Sequence, residues 1–328
     1  MLRELSDTPH SRLKISFFEQ TRCLLGLFDK TTECALMNVT EDPLVSKVGD
    51  ALKAQRFQML EDIARELSSD SLVFPTCFDA AMKLRKELQN PNQPVSRIAR
   101  IVALDPLIAS RLTHLASSAL YSPDGTPVRD LQTAIQRLGV DVVRTTALGV
   151  AMGQLLRAKD MALFSDFSRR LWQHSIRAAV ASRLLARQQG RISPDQALLA
   201  GLVHDLGAFY MLYRAAQYEE LRMRPETVKY LILQWHESIG ISLLNALGLP
   251  EEIVDATIDH DQPRELPDTL RTLADVVFLG NILAGTHLEW FDQGADPESG
   301  PFAEVRERFA DLLPQMDIDT QEMLAALS

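Results

Sequence analysis

Four of the chain's seven histidines, His174, His204, His236 and His260, stand in helical, mostly apolar segments, and Asp205 follows His204 directly. A sixth candidate ligand, Asp275, is the only charged residue between Leu273 and Thr286. Imidazoles and carboxylates are costly to bury unless they are paired, hydrogen-bonded or bound to metal. Their recurrence on successive apolar helices implies one polar centre inside a helical bundle. These are the ligand types of Mn, Fe and Zn sites, so a divalent metal is the cofactor they would take. An aspartate bridging two ions, with histidines on both sides, could generate hydroxide near neutral pH and clamp a phosphate for in-line attack.

Position by position, structural and chemical readings stand side by side. Phe167, Leu171, His174, Ala178, Ala181 and Leu185 fall on one helical stripe, so His174 faces the core. A core histidine bonded to a backbone carbonyl would have the same pattern. Asp195 to Tyr213 is expected to be one helix, apolar almost all round. Adjacent residues on it point about 100° apart, so His204 and Asp205 can border one cavity. Gly207 vacates a neighbouring position, leaving room for an ion, a water or another helix. Ile232, His236, Ile239 and Leu243 share a face, with Gly240 one turn from the histidine. Ile253, Thr257 and His260 line up on an expected fourth helix, near a C-terminus where the helix dipole favours a cation.

The elements that must carry these residues read as helix after helix. Asp105-Pro106 places a capping side chain before a proline at the first helical position. Ser193-Pro194-Asp195-Gln196 repeats that arrangement and adds a capping-box pattern. Gly248 ends one helix, and Pro250-Glu251-Glu252 opens the next with carboxylates in its first turn. No segment alternates with period two between hairpin turns, so the fold is expected to be all-α. Four regions follow. Residues 1–70 form a helical leader with amphipathic stretches near 11–28 and 51–67, and residues 71–160 make a set of short helices. Residues 161–285 hold the polar centre, and residues 286–328 supply an acidic, turn-rich link and a helical tail.

Composition narrows the class of function. Hydrophobic residues make up 46% and charged residues 24% of 328, as in ordinary globular domains. No apolar run reaches the roughly 18 residues of a spanning helix, and the first residues lack a signal peptide's apolar centre. Three cysteines without metal-like spacing fit a reducing cytoplasm. A net charge of −10 argues against generic nucleic-acid binding, which needs a basic surface, while leaving room for a small basic pocket.

Over roughly residues 71–265 the chain resembles the HDOD family, a branch of the HD superfamily found in bacterial signalling. The resemblance rests on ARIVALDPLIASRLTHLASSALYS (99–122), LQTAIQRLGVDVVRTTAL (131–148), LWQHSIRAAVASRLLAR (171–187), AGLVHDLGAFYML (200–212) and WHESIGISLLNALGLPEEIVDATIDHD (235–261). It implies a multi-helix HD-like bundle with an additional N-terminal helical subdomain. It also implies a regulatory or scaffold module that works through protein partners in a signalling pathway, without catalysis. The alternative is a metal-dependent phosphohydrolase acting on a nucleotide or cyclic dinucleotide, and a nucleotide could also serve as a ligand without turnover.

Against the catalytic HD-GYP relatives the chain departs at four places. Ala208 stands where HDxGK has lysine, and Asp259-His260-Asp261 replaces paired histidines. Gln262-Pro263-Arg264-Glu265 follows in place of a GYP signature, and Arg170 offers a cation where a third metal would need a carboxylate. On this resemblance the set His174, His204, Asp205 and Asp275 is expected to hold one ion, with His236 and His260 as further candidate ligands, while the second metal and the substrate-binding parts are hit hardest.

Overall fold

The computed structural model describes residues 50–68, 78–88, 90, 93–157, 159–262, 264–285 and 300–327, and those residues form helices and turns with no strand. The expected stretch near 11–28 and residues 292–299 of the acidic link lie outside them. Helix α1 (Asp50–Ser68) buries Leu52, Met59 and Ile63, which lie on one side of a 3.6-residue period. Its polar edge is tied down: Tyr218 donates to Asp62 at 2.6 Å, and Tyr210 and Arg214 donate to Glu66 at 2.8 and 2.5 Å.

Helices α2 (Asp79–Leu88), α3 (Val95–Val102), α4 (Pro106–Ala116) and α5 (Leu131–Leu156) make the first half. Asp105 caps α4 as its sequence indicates, accepting from the backbone N–H groups of Leu107 and Ile108 at 2.9 and 3.0 Å. Within α5, Gly139 adopts φ 78° and ψ 169°, outside helical space, and divides the element into two limbs. A side chain is strained at that φ, so glycine sets the bend.

The second half is built on α6 (Ser165–Gln189), which packs against α7 (Pro194–Val203) and α12 (Leu273–Ala284). Helix α8 (Leu206–Ala215) lies on α10 (Pro225–Ala246), with α9 (Glu219–Arg222) between them in sequence and α11 (Glu251–Asp255) following. Two expectations need correction. The single helix expected over Asp195 to Tyr213 is two helices, parted at His204-Asp205. The fourth helix stops at Asp255, so His260 lies in the turns beyond it.

Helices α13 (Gly300–Arg308) and α14 (Leu313–Leu327) return onto the bundle. Val305, Met316, Met323 and Leu327 are buried, Glu322 accepts from the Leu120 N–H at 3.1 Å, and Arg177 pairs with Asp317 at 3.0 Å. Among the described residues no helix is long and apolar enough to cross a membrane.

Candidate metal centre

Each member of the polar centre is set by a local device. His174 sits on the buried stripe of α6, between Leu171 and Ala178. His204 and Asp205 form the break between α7 and α8. Asp205 has φ −98° and ψ 14°, and its carbonyl accepts from the Ala208 N–H at 2.9 Å to start the next helix. The residue after Leu206 must be glycine, because a Cβ on Gly207 would lie 1.8 Å from the His236 carbonyl oxygen. Gly207 therefore makes room for another helix, and it presses the His204-Asp205 break against the part of α10 that carries His236.

His260 is aimed inward by a different device. Asp259 before it takes φ 56°, a left-handed conformation that aspartate tolerates better than most residues. Glu237, one residue after His236, holds that turn through a backbone hydrogen bond from Asp259. Burial pushes the Glu237 carboxyl up, against the pull of His260 and His236.

The four imidazoles meet around one carboxylate. Asp205 is fully buried, and His174, His204, His236 and His260 are all buried with it. One of its oxygens, Oδ2, lies 3.2 Å from His204 Nε2 and 3.5 Å from His174 Nε2. The other, Oδ1, lies 3.5 Å from His260 Nε2 and 3.8 Å from His236 Nε2. Within each pair the Nε2 atoms are 3.2 Å apart for His174 and His204, and 3.3 Å apart for His236 and His260. The pairs adjoin: the His204 and His260 rings stand edge to face with centroids 4.9 Å apart.

This donor set fits metal. Nδ1 of His204, His236 and His260 lies 2.7–2.8 Å from the backbone carbonyls of Gly201, Ile232 and Thr257. A carbonyl only accepts, so each Nδ1 carries a proton, and in the neutral imidazole each Nε2 turns a lone pair to the centre. Backbone carbonyls on the far nitrogen are the usual way a ligating imidazole is oriented. Neutral lone pairs facing each other at this range repel unless a cation or proton lies between them. Ligands about 2.0–2.1 Å from a tetrahedral ion are about 3.4 Å from one another, close to the spacing within both pairs. Two ligand groups result, His174, His204 and Asp205, and Asp205, His236 and His260, with Asp205 common to both.

Asp275 is not brought into either group. It stands in the first turn of α12, where Thr272 caps the helix, accepting from the Asp275 N–H at 3.1 Å. In return, the Asp275 carboxylate accepts from the N–H groups of Arg271 and Thr272 at 3.1 and 3.0 Å, and Arg264 lies 3.5 Å away. The carboxylate thus finds its partners at a helix end, where backbone N–H groups and the dipole both favour an anion.

Two residues that the metal-ligand pattern leaves out do reach the centre. Asp261 Oδ2 lies 3.2 Å from His236 Nε2 and 3.6 Å from His260 Nε2. Asn281, buried on α12, donates to Asp261 Oδ1 at 2.8 Å and to the His260 carbonyl at 3.1 Å. Asp261 was visible in the sequence beside His260. Asn281 had no local signal beyond being a polar residue in an apolar helix. The second group is accordingly better supplied than the loss of a paired histidine suggested. Ala208, in the lysine position of catalytic relatives, is fully buried.

The HDOD domain model matches residues 74–263. Among solved structures, a protein of Shewanella amazonensis SB2B described as a proposed metal-dependent phosphohydrolase is similar at 22% identity, with TM-score 0.65, over 84% of this chain and 100% of that one. An HDOD domain protein of unknown function from Geobacter sulfurreducens is similar at 19% identity, with TM-score 0.51, over 80% and 97%. A proposed signal transduction protein of Marinobacter aquaeolei VT8 is similar at 23% identity, with TM-score 0.50, over 85% and 66%. At these identities the likeness is one of fold. No curated protein gives a significant match.

Proposed function

Because the chain belongs to the HDOD family, we propose that it is a regulatory signalling module. In this reading it holds divalent metal at the Asp205 centre and acts by binding protein partners, without turnover. The observation that carries the reading is the contrast between an intact ligand set and the positions around it. Four imidazoles and Asp205 converge, three of the imidazoles oriented by backbone carbonyls, whereas Ala208 brings no cation and Asp275 is engaged in a helix cap. Hydrolysis needs groups that position substrate and neutralise the leaving phosphate, beyond the ligands themselves. The Marinobacter relative, described as a proposed signal transduction protein, supports the signalling side of the reading.

In the centre, His174, His204 and Asp205 would hold one ion, and Asp205, His236 and His260 a second. A bound Mn, Fe or Zn would supply Lewis acidity and lower the pKa of a coordinated water. The protein's own part is orientation. Backbone carbonyls fix three of the imidazoles, and the Gly207 contact fixes the break that carries Asp205.

A second reading, a metal-dependent phosphohydrolase, is favoured by one feature: the two Asp205 oxygens face different histidine pairs, as a bridging carboxylate in a two-ion site would. The Shewanella relative, described as a proposed metal-dependent phosphohydrolase, is in keeping with it. Metal analysis of protein purified without chelator, joined to a phosphodiesterase screen with added Mn, separates the two. Bound metal without turnover supports the module. Robust Mn-dependent turnover, lost in a folded His204→Ala variant, selects the enzyme. Protein with neither metal nor affinity for it removes the metal centre from both readings.

A further inference from the structure

Beside His174 the surface opens into a cavity of about 390 Å³, within the range of small-molecule sites. Its walls bring together Arg170, Gln173, His174 and Arg177 of α6, Leu283 at the end of α12, and Arg306 of α13. Three arginines therefore line one opening in a chain whose net charge is −10. Arg170 and Arg177 flank the histidine on the same helix, while Arg306 comes from a segment more than a hundred residues later. Arg177 already carries a carboxylate, Asp317, at 3.0 Å. Among the described residues Arg170 and Arg306 have no carboxylate partner, and both are exposed.

Like charges gathered with too few counter-charges are unfavourable unless an anion completes them. Guanidinium presents a fork of donors that matches phosphate oxygens in pairs, and several such forks suit a group with more than one charge better than a lone carboxylate. We propose that this cavity is an anion subsite that binds the phosphate of a small phosphorylated ligand, with Arg170 and Arg306 as its principal contacts and Arg177 as a shared one. The phosphate would sit at the His174 edge of the metal centre. The inference deepens the binding reading above and rests on it for that adjacency, but the arginine cradle itself needs no metal.

The test is isothermal titration of the full chain with pyrophosphate, using protein as purified and protein stripped of metal by a chelator and then desalted. Arg170→Ala and Arg306→Ala, both at exposed positions, are compared with Arg100→Ala, exposed on α3 and outside the cavity. The subsite predicts saturable binding in both preparations, weakened about tenfold or more by each cavity variant and unchanged by Arg100→Ala. Adenosine should not compete, whereas adenosine monophosphate should. Binding that is equal in all variants, or absent from the unmodified chain in both preparations, overturns the subsite. Binding that needs metal and ignores the arginines also overturns it, while leaving the metal centre standing. Protein that holds no metal yet binds pyrophosphate through the arginines removes the metal reading and leaves the subsite.

Discussion

On one side of Asp205 the centre consists of His174, from a long helix, and His204, from the break that also supplies the aspartate. On the other side His236 and His260 are joined by Asp261, which Asn281 holds in place. Judged by the paired-histidine pattern, the second side is the damaged one. Judged by what surrounds the nitrogens, it is the richer, because a carboxylate lies within 3.2–3.6 Å of both imidazoles in addition to the shared one. The first side shares Asp205 with the second, and it opens on the arginine-lined cavity. A ligand type exchanged at one sequence position is therefore not a ligand lost. What decides is whether the backbone turns the new group inward, and the left-handed Asp259 does so for His260.

The largest effect is expected where both sides share a support. Gly207→Ala would place a methyl 1.8 Å from the His236 carbonyl, against backbone that cannot swing away. Overpacking of this kind costs about 3 kcal/mol or more, so the variant should melt far below the unmodified chain or fail to fold. A thermal scan with an unchanged midpoint would show that α8 and α10 are not held together here.

Next comes the shared carboxylate. Asp205→Ala should lower bound metal from stoichiometric amounts to about a tenth or less, because both ligand groups lose the carboxylate they share. The stabilisation that metal gives the native state should vanish with it, so added chelator should no longer shift the melting temperature of the variant. Retention of one full equivalent would show that the two sides are independent, and that Asp205 serves only one of them.

A smaller effect separates the sides. His174→Ala should empty the first group and leave about one ion per chain in the second. Asp261→Asn should weaken the second group by about tenfold or more, because it removes a negative charge that faces the same Nε2 atoms as the ion would. Metal titration of the two variants reads the asymmetry directly. Equal loss from both would mean that Asp261 adds nothing to the second group.

Much of this is legible in the sequence. Period-3.6 stripes give α6 and α10 and put His174 and His236 on their buried faces, and the caps at Asp105 and Ser193 announce α4 and α7. What the sequence conceals are breaks in regular structure. The apolar run from Asp195 to Tyr213 carries no proline at His204, and Asp205 stands at the N-cap position of α8 without a side-chain capping bond, so the interruption rests on tertiary contact between Gly207 and α10. The left-handed Asp259 is equally silent, since aspartate takes that conformation only occasionally. Asp275 misleads for the opposite reason. A lone acid in an apolar helix reads as a buried ligand, yet its distance from the helix start decides its role, and Thr272 three residues earlier completes a capping pair.

That pair yields the smallest and most discriminating measurement. If Asp275 belonged to the first ligand group, as the family pattern implies, Asp275→Ala would strip an ion and cost binding on the order of Asp205→Ala. In the structure its carboxylate instead accepts from the N–H groups of Arg271 and Thr272, with Arg264 nearby. Loss of a helix-terminal capping side chain costs about 1 kcal/mol, and the half-exposed Arg264 contact adds little in solvent. Asp275→Ala should therefore lower the melting temperature by a few degrees, while metal content and metal affinity stay within about twofold of the unmodified chain. Asp275→Asn, which keeps an acceptor for the same N–H groups, should recover part of the lost stability. A variant that folds normally but has lost an equivalent of metal would return Asp275 to the centre, and would make the first side of Asp205 as well supplied with carboxylate as the second.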